Sequence, residues 1–225
     1  MESKKALVVF DFNNIVDSVI RFDLGLTFWR HVIQLCFSEF RECEEIMIKV
    51  LGSYTNKNEA GLKMHWLKIQ DIFERPNAYL LDWHNAYVQF DMGSPVPQYT
   101  EEIDCRAYNR DDEIIKFSKE FLEENRDFNL YGLFSGDGDF LPLIKSIKAK
   151  FKTDVSVFGF SSNKTSSLYA KNKINTIYIK DRLPELEKDY NNAQDTIANW
   201  QLYQKAFFNP ANFWPDRSKF LMFTG

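Results

Sequence analysis

Residues 6–10, ALVVF, are five apolar residues in a row, two of them β-branched valines. A strand with one wet face alternates apolar and polar residues, so an unbroken run has to be covered on both faces. That is the condition of a strand inside a parallel sheet flanked by helices. The run stops at Asp11 in DFNN (11–14). A second apolar run, NLYGLF (129–134), leads straight into SGDGDF (135–140), where Asp137 and Asp139 stand two apart in a turn loosened by Gly136 and Gly138. A chain that ends two buried strands on carboxylates is placing charge where open parallel sheets form their sites, outside the carboxyl ends of the strands.

The pattern between and after these runs supports the same class. Phe28, Val32, Leu35, Cys36, Phe40, Cys43, Ile46, Met47 and Val50 recur at helical spacing and predict helix over about 25–51. NEAGLKMHWLKIQDIFERP (58–76) predicts a second helix, ended by Pro76. AYLLDWHNAYVQF (78–90) reads as a strand or hairpin, and DMGSPVPQYTEE (91–102) as a surface loop broken by Gly93, Pro95 and Pro97. From Asp111 a helix carries Ile114, Ile115, Phe117, Phe121 and Leu122, then NLYGLF is a strand. LPLIKSIKAKF, VSVFGF, SSLYAKN and TIYIKD follow as helix, strand, short helix and strand. This alternation predicts an α/β fold with a mostly parallel central sheet in a three-layer sandwich.

The expected organisation is one domain over 1–182, with a helical insertion at about 25–75, and an extension over 183–225. In the extension, 185–208 reads as a helix and the remainder as a proline-broken, aromatic tail. It holds Tyr190, Trp200, Tyr203, Phe207, Phe208, Phe213, Trp214, Phe220 and Phe223. So much aromatic surface is expected to pack on the domain, on a second copy or on a protein partner. A stacking platform for single-stranded nucleic acid is the alternative.

Composition narrows the function classes. With 44% hydrophobic and 27% charged residues, the chain is an ordinary globular protein. Cys36, Cys43 and Cys105 form neither a disulfide framework nor a zinc motif, and point to a reducing compartment. MESKKALVVF is too short in apolar residues for a secretory signal or a span, so a cytoplasmic protein without a membrane partner is expected. A net charge of -4 excludes a generally basic coat, but the charge is uneven. Tyr99–Asp139 holds 12 acids against 5 bases, whereas Leu141–Lys180 holds 8 lysines and one acid, Asp154. Acids to hold a cation, followed by lysines to hold phosphates, suit a metal-dependent enzyme acting on a polyanion.

Three acidic features fall at matching ends of the alternating elements: Asp11 with Asn14, Asp111 with Asp112, and Asp137 with Asp139. Gathered carboxylates repel one another unless a cation neutralises them, and hard divalent ions with oxygen ligands are the natural partner. Each feature also has a structural explanation. Asp11 and Asn14 could cap the next helix, Asp111 and Asp112 could complement a helix dipole, and Asp137 and Asp139 could form a turn. His31, His65 and His84 sit in no motif with Ser or Cys, so no better nucleophile than a metal-activated water is on offer.

The order D-x-x-N, then D-D at a helix start, then S-G-D-G-D-F resembles the NYN domain family of the PIN-like nucleases. The likeness runs over roughly 5–181 and is strongest in RDDEIIKFSKEFLEENRDFNLYGLFSGDGDFLPL (110–143). It implies a PIN-like sandwich and Mg²⁺- or Mn²⁺-dependent endonucleolytic hydrolysis of single-stranded RNA. Carried over by position, Asp11, Asp112 and Asp137 would be the metal ligands, with Asp111 beside Asp112 completing the cluster. Asn14 would orient a ligand or the scissile phosphate, and Asp139 would assist or hold the turn. Ser135 would fix the turn, while Ser161 or Ser166 with Lys164 would contact phosphate; Lys145 and Lys148, with Lys150 and Lys152, are candidates for tracking the RNA backbone. The long segment between Asn14 and Asp111 leaves Asp104 competing for the middle position. The alternative function is an RNA-binding or scaffold module with the same fold and little hydrolysis. A phosphatase or nucleotide-sugar enzyme would want a glycine phosphate loop or a D-x-D nucleophile, and DFNN supplies neither.

Overall fold

The computed structural model describes residues 3–22, 24–25, 28–53, 59–79, 81, 86–92 and 110–208. Asp104, His84, Cys105, the loop after Met92 and the aromatic tail from 209 onward lie outside the described residues. Among the described residues six strands form one sheet, all neighbours parallel: β1 Lys5–Asp11, β2 Glu45–Gly52, β3 Ala86–Met92, β4 Leu130–Phe134, β5 Asp154–Gly159 and β6 Asn175–Tyr178. Their order is β3-β2-β1-β4-β5-β6. The helices are α1 Phe12–Arg21, α2 Phe28–Phe40, α3 Glu59–Glu74, α4 Asp111–Glu124, α5 Leu141–Phe151, α6 Ser167–Lys171 and α7 Ile179–Phe208.

The unbroken run does sit at the centre. Ala6 to Phe10 are fully buried, with β2 on one side and β4 on the other. Strand geometry sends alternate residues to opposite faces. Leu7, Val9, Tyr131, Leu133, Val155 and Val157 share one apolar cluster with Ile114 and Leu122 of α4, Ile144 and Ile147 of α5, and Tyr169 of α6. On the other face Phe10, Phe134 and Phe158 stack ring on ring across three adjacent strands, with centroids 4.1 and 4.2 Å apart. Phe73 of α3 meets Phe10 edge-on, and Phe40 of α2 packs on Phe158. Gly132 is what lets α2 approach so closely, since a Cβ there would lie 2.6 Å from the Phe40 ring. Helices on both faces of a parallel sheet make this a three-layer α/β sandwich.

One expected element is corrected. The helix read over about 25–51 ends at Phe40, and Glu45–Gly52 is β2, so the segment taken as a helical insertion contributes a strand next to the centre of the sheet. Ile46, Ile48 and Val50 are buried while Met47 and Lys49 are half-buried, a period of two. Met47, apolar and packed against the α4 side of the core, completes a helix-like spacing with Cys43 and Val50 and conceals that alternation.

The chain divides at Leu183 and Pro184 into units spanning Met1–Leu183 and Pro184–Gly225, and α7 carries Pro184 inside it. No helix among the described residues is long and apolar enough to cross a membrane.

The aromatic stack predicts a specific sensitivity. Phe134→Ala removes the middle ring of the three and should cost about 3–5 kcal/mol, the range for emptying a buried aromatic site. Urea unfolding would measure it, and a loss below about 1 kcal/mol would show that the stack is dispensable.

Candidate metal centre

β1 and β4 are neighbours whose chains depart to opposite faces, β1 into α1 and β4 through a 3₁₀ turn (Gly138–Phe140) into α5. Such a reversal of direction opens a crevice at the carboxyl ends of the two strands. Asp11 ends β1 there, and Ser135 directly follows β4.

Hydrogen bonds stitch the two ends together. Ser135 Oγ donates to Asp11 Oδ2 at 2.9 Å, and the Asn14 amide donates to Asp11 Oδ1 at 3.3 Å, so Asp11 also caps α1. Asn14 Oδ1 in turn accepts from the Gly136 amide at 2.8 Å. Ser135 Oγ accepts from the Asp137 amide at 3.2 Å, and Asp137 Oδ1 accepts from the Asp139 amide at 2.9 Å, capping the 3₁₀ turn. From the next loop the Ser166 amide donates to Gly136 O at 2.8 Å, and the Tyr169 hydroxyl donates to Asp137 O. Gly136 is required by this crowding, because a Cβ there would stand 2.6 Å from the Lys164 carbonyl oxygen.

Three carboxylates converge on the crevice. Asp111, Asp137 and Asp139 each bring an oxygen within 4.8 Å of the others; the first two are half-buried and the third is exposed. Carboxylate oxygens alone make a hard donor set that suits Mg²⁺, Mn²⁺ or Ca²⁺ better than zinc or copper, and the triad could hold such an ion. Asp11 is not one of the three. It is 8% exposed, and burial pushes its pKa up from 3.8 to about 7, opposed by the hydrogen bonds from Ser135 and Asn14 and reinforced by the charges of Asp111 and Asp137.

Of the three expected ligands, Asp137 alone belongs to this triad. Asp112 is exposed and outside it, whereas its neighbour Asp111 is one of the three. One residue along an α-helix turns the side chain by about 100°, so only one of two adjacent aspartates can face the crevice. Asp139, expected only to assist, joins Asp137 because the 3₁₀ turn brings both carboxylates to the same edge.

The anticipated phosphate contacts are spread more widely. Lys164 is exposed in the loop that packs on Gly136, close to the acids. Lys145 and Lys148 are exposed on α5, and Lys148 lies in its last turn, about 10 Å along the axis from the crevice end. Lys150 is paired with Glu123. The hydroxyls are engaged within the protein: Ser135 on Asp11, Ser161 on Asn163 Oδ1 at 2.7 Å, and Ser166 as the cap of α6.

Three residues around the crevice had not been singled out from the sequence. Tyr169 holds the Asp137 carbonyl, and Asn13 exchanges two hydrogen bonds with the Ser53 backbone at 2.7 and 2.8 Å, tying α1 to the end of β2. Arg110 precedes α4, where a cation is out of place beside a helix N-terminus unless acids hold it, and that misplacement is the signal a sequence could give.

Comparison with known proteins bears on the fold. No family model matches the chain, and no curated protein does. The crystal structure of a protein of unknown function from Vibrio parahaemolyticus RIMD 2210633 is similar with a TM-score of 0.53, covering 80% of this chain and 95% of that one at 19% identity. The two share an α/β fold.

The buried carboxyl of Asp11 yields a pH prediction. Its folded pKa near 7 lies above the unfolded 3.8, so the folded state binds the proton more tightly. The stability it contributes is complete below about pH 4 and is lost as pH rises towards 7. In EDTA, Asp11→Asn should remove that decline and unfold at a higher temperature than wild type at pH 8. Parallel curves of melting temperature against pH for the two proteins would refute it.

Proposed function

We propose that the protein is a divalent-metal-dependent endoribonuclease acting on single-stranded RNA, the activity that its likeness to the NYN domain and PIN-like nucleases implies. The observation that carries this reading is the Asp111, Asp137 and Asp139 triad at the crevice between β1 and β4. A bound Mg²⁺ or Mn²⁺ would supply an activated water and offset charge on the phosphate undergoing attack. The three aspartates would hold it, and their mutual repulsion is the reason that a cation is favoured there.

The remaining residues organise that triad. Asp11 anchors the Ser135 hydroxyl, which fixes the turn that presents Asp137, and Asn14 anchors the next amide. Lys164 is exposed in the loop whose backbone packs on Gly136, and its ammonium would be available to a phosphate flanking the scissile bond. Water would attack phosphorus as the P–O3′ bond breaks, leaving a 5′-phosphate and a 3′-hydroxyl, with the proton lost by the water balanced by the one the departing O3′ takes up.

An end-labelled, unstructured RNA incubated with Mn²⁺ or with EDTA tests the reading. Asp137→Asn and Asp111→Asn should each lower the Mn²⁺-dependent cleavage rate by about 100-fold or more. Asp112→Asn should change it by less than about fivefold, the scale of one exposed charge. RNA left intact by the wild type with Mn²⁺, yet still bound, would overturn the nuclease reading in favour of a binding or scaffold module.

A further inference from the structure

We propose that Arg110 is a positioning residue that places Asp111 opposite Asp137 and Asp139; this rests on the metal-centre reading of the triad. Asp111 opens α4, yet α4 has no side-chain hydrogen bond at its cap. The guanidinium of Arg110 fixes that end. Its side chain is only 12% exposed, and Nη1 donates to the carbonyl of Gly52 at 3.0 Å and to the carbonyl and carboxylate of Asp91 at 2.6 and 3.0 Å. Gly52 ends β2, and Asp91 stands one residue before the end of β3. The other edge of the guanidinium donates to both carboxylate oxygens of Glu113, in the first turn of α4. A single planar group thus joins the carboxyl ends of two strands to the start of the helix.

The charge arrangement says how it acts. Arg110 is matched by Asp91 and Glu113, and Lys49 adds a second cation 3.8 Å from Asp91. Hydrogen bonding to Arg110 holds the Asp91 carboxyl below its ordinary pKa. With its charge met by these two acids, Arg110 acts on Asp111 chiefly through geometry. It fixes where α4 begins and the rotation about its axis, and hence which of Asp111 and Asp112 faces the crevice. A lysine cannot reproduce this, because its ammonium lacks the rigid fork that reaches two carbonyls and two carboxylates at once.

The test is calorimetric titration of MnCl₂ into the full chain as wild type, Arg110→Met, Arg110→Lys, Asp91→Asn, Asp111→Asn and the double variant Arg110→Met/Asp111→Asn. Losing an outer partner of a metal ligand should weaken Mn²⁺ binding about tenfold or more in both Arg110 variants. Asp91→Asn should fall between them and the wild type. The double variant should bind no more weakly than Asp111→Asn alone, because Arg110 works through Asp111. A merely structural role would instead lower the melting temperature while leaving Mn²⁺ affinity unchanged, or would give losses that multiply in the double variant, and either result overturns the proposal. If Arg110→Met does not fold, Arg110→Lys and Asp91→Asn decide, and wild-type affinity in both overturns it. A wild type that takes up no Mn²⁺ refutes the metal-centre reading and this proposal together, whereas normal wild-type binding with unaltered variants refutes this proposal alone.

Discussion

Two hydrogen bonds cross the point where the sheet changes direction, from Ser135 Oγ to Asp11 and from the Gly136 amide to Asn14. They hold together the ends of two strands whose chains leave for opposite faces, and the rest of the crevice is hung on them. The Asp137 amide points at the oxygen that already binds Asp11, Asp139 is held by Asp137, and the β5–α6 loop closes on Gly136. Burying a carboxyl to make that join costs on the order of 4 kcal/mol if it is ionised at neutral pH, as the rise of its pKa to about 7 implies.

Much of this was legible in the sequence. ALVVF and LYGLF announced buried strands because nothing polar interrupts them, and the acids that follow fell at the ends where open sheets place their sites. The alternation after Asp111 gave the second half of the sheet, because each run there has one unambiguous period. β2 was hidden for the opposite reason: Met47 lent a two-residue pattern the look of a helical one, and only tertiary pairing with β1 and β3 decides between them.

The choice between Asp111 and Asp112 was not legible. It depends on the rotation of α4, and the contacts described at its start reach to Gly52 and Asp91, 58 and 19 residues back along the chain from Arg110. Adjacent aspartates look alike in sequence, and no local preference distinguishes them. Ser135 holds the turn that its position in SGDGDF suggested, and the other two serines are engaged locally as well. Ser135, Ser161 and Ser166 satisfy backbone and side-chain groups of the protein itself, which is the usual fate of small hydroxyls in tight turns.

The strand order has a consequence for how the protein reaches its native state. β1, β2 and β3 follow one another along the chain, and so do β4, β5 and β6; among the described residues the pairing that joins the two groups is β1 with β4, whose partners lie 124 residues apart. Closing so long a loop delays that pairing relative to those within each half. The crevice lies on this seam, with Asp11 contributed by one half and Ser135 and Asp137 by the other. Asp111, Asp137 and Asp139 all come from the later half, but the hydrogen bonds by which Asp11 and Asn14 hold the Ser135–Gly136 turn form only at the step that completes the sheet.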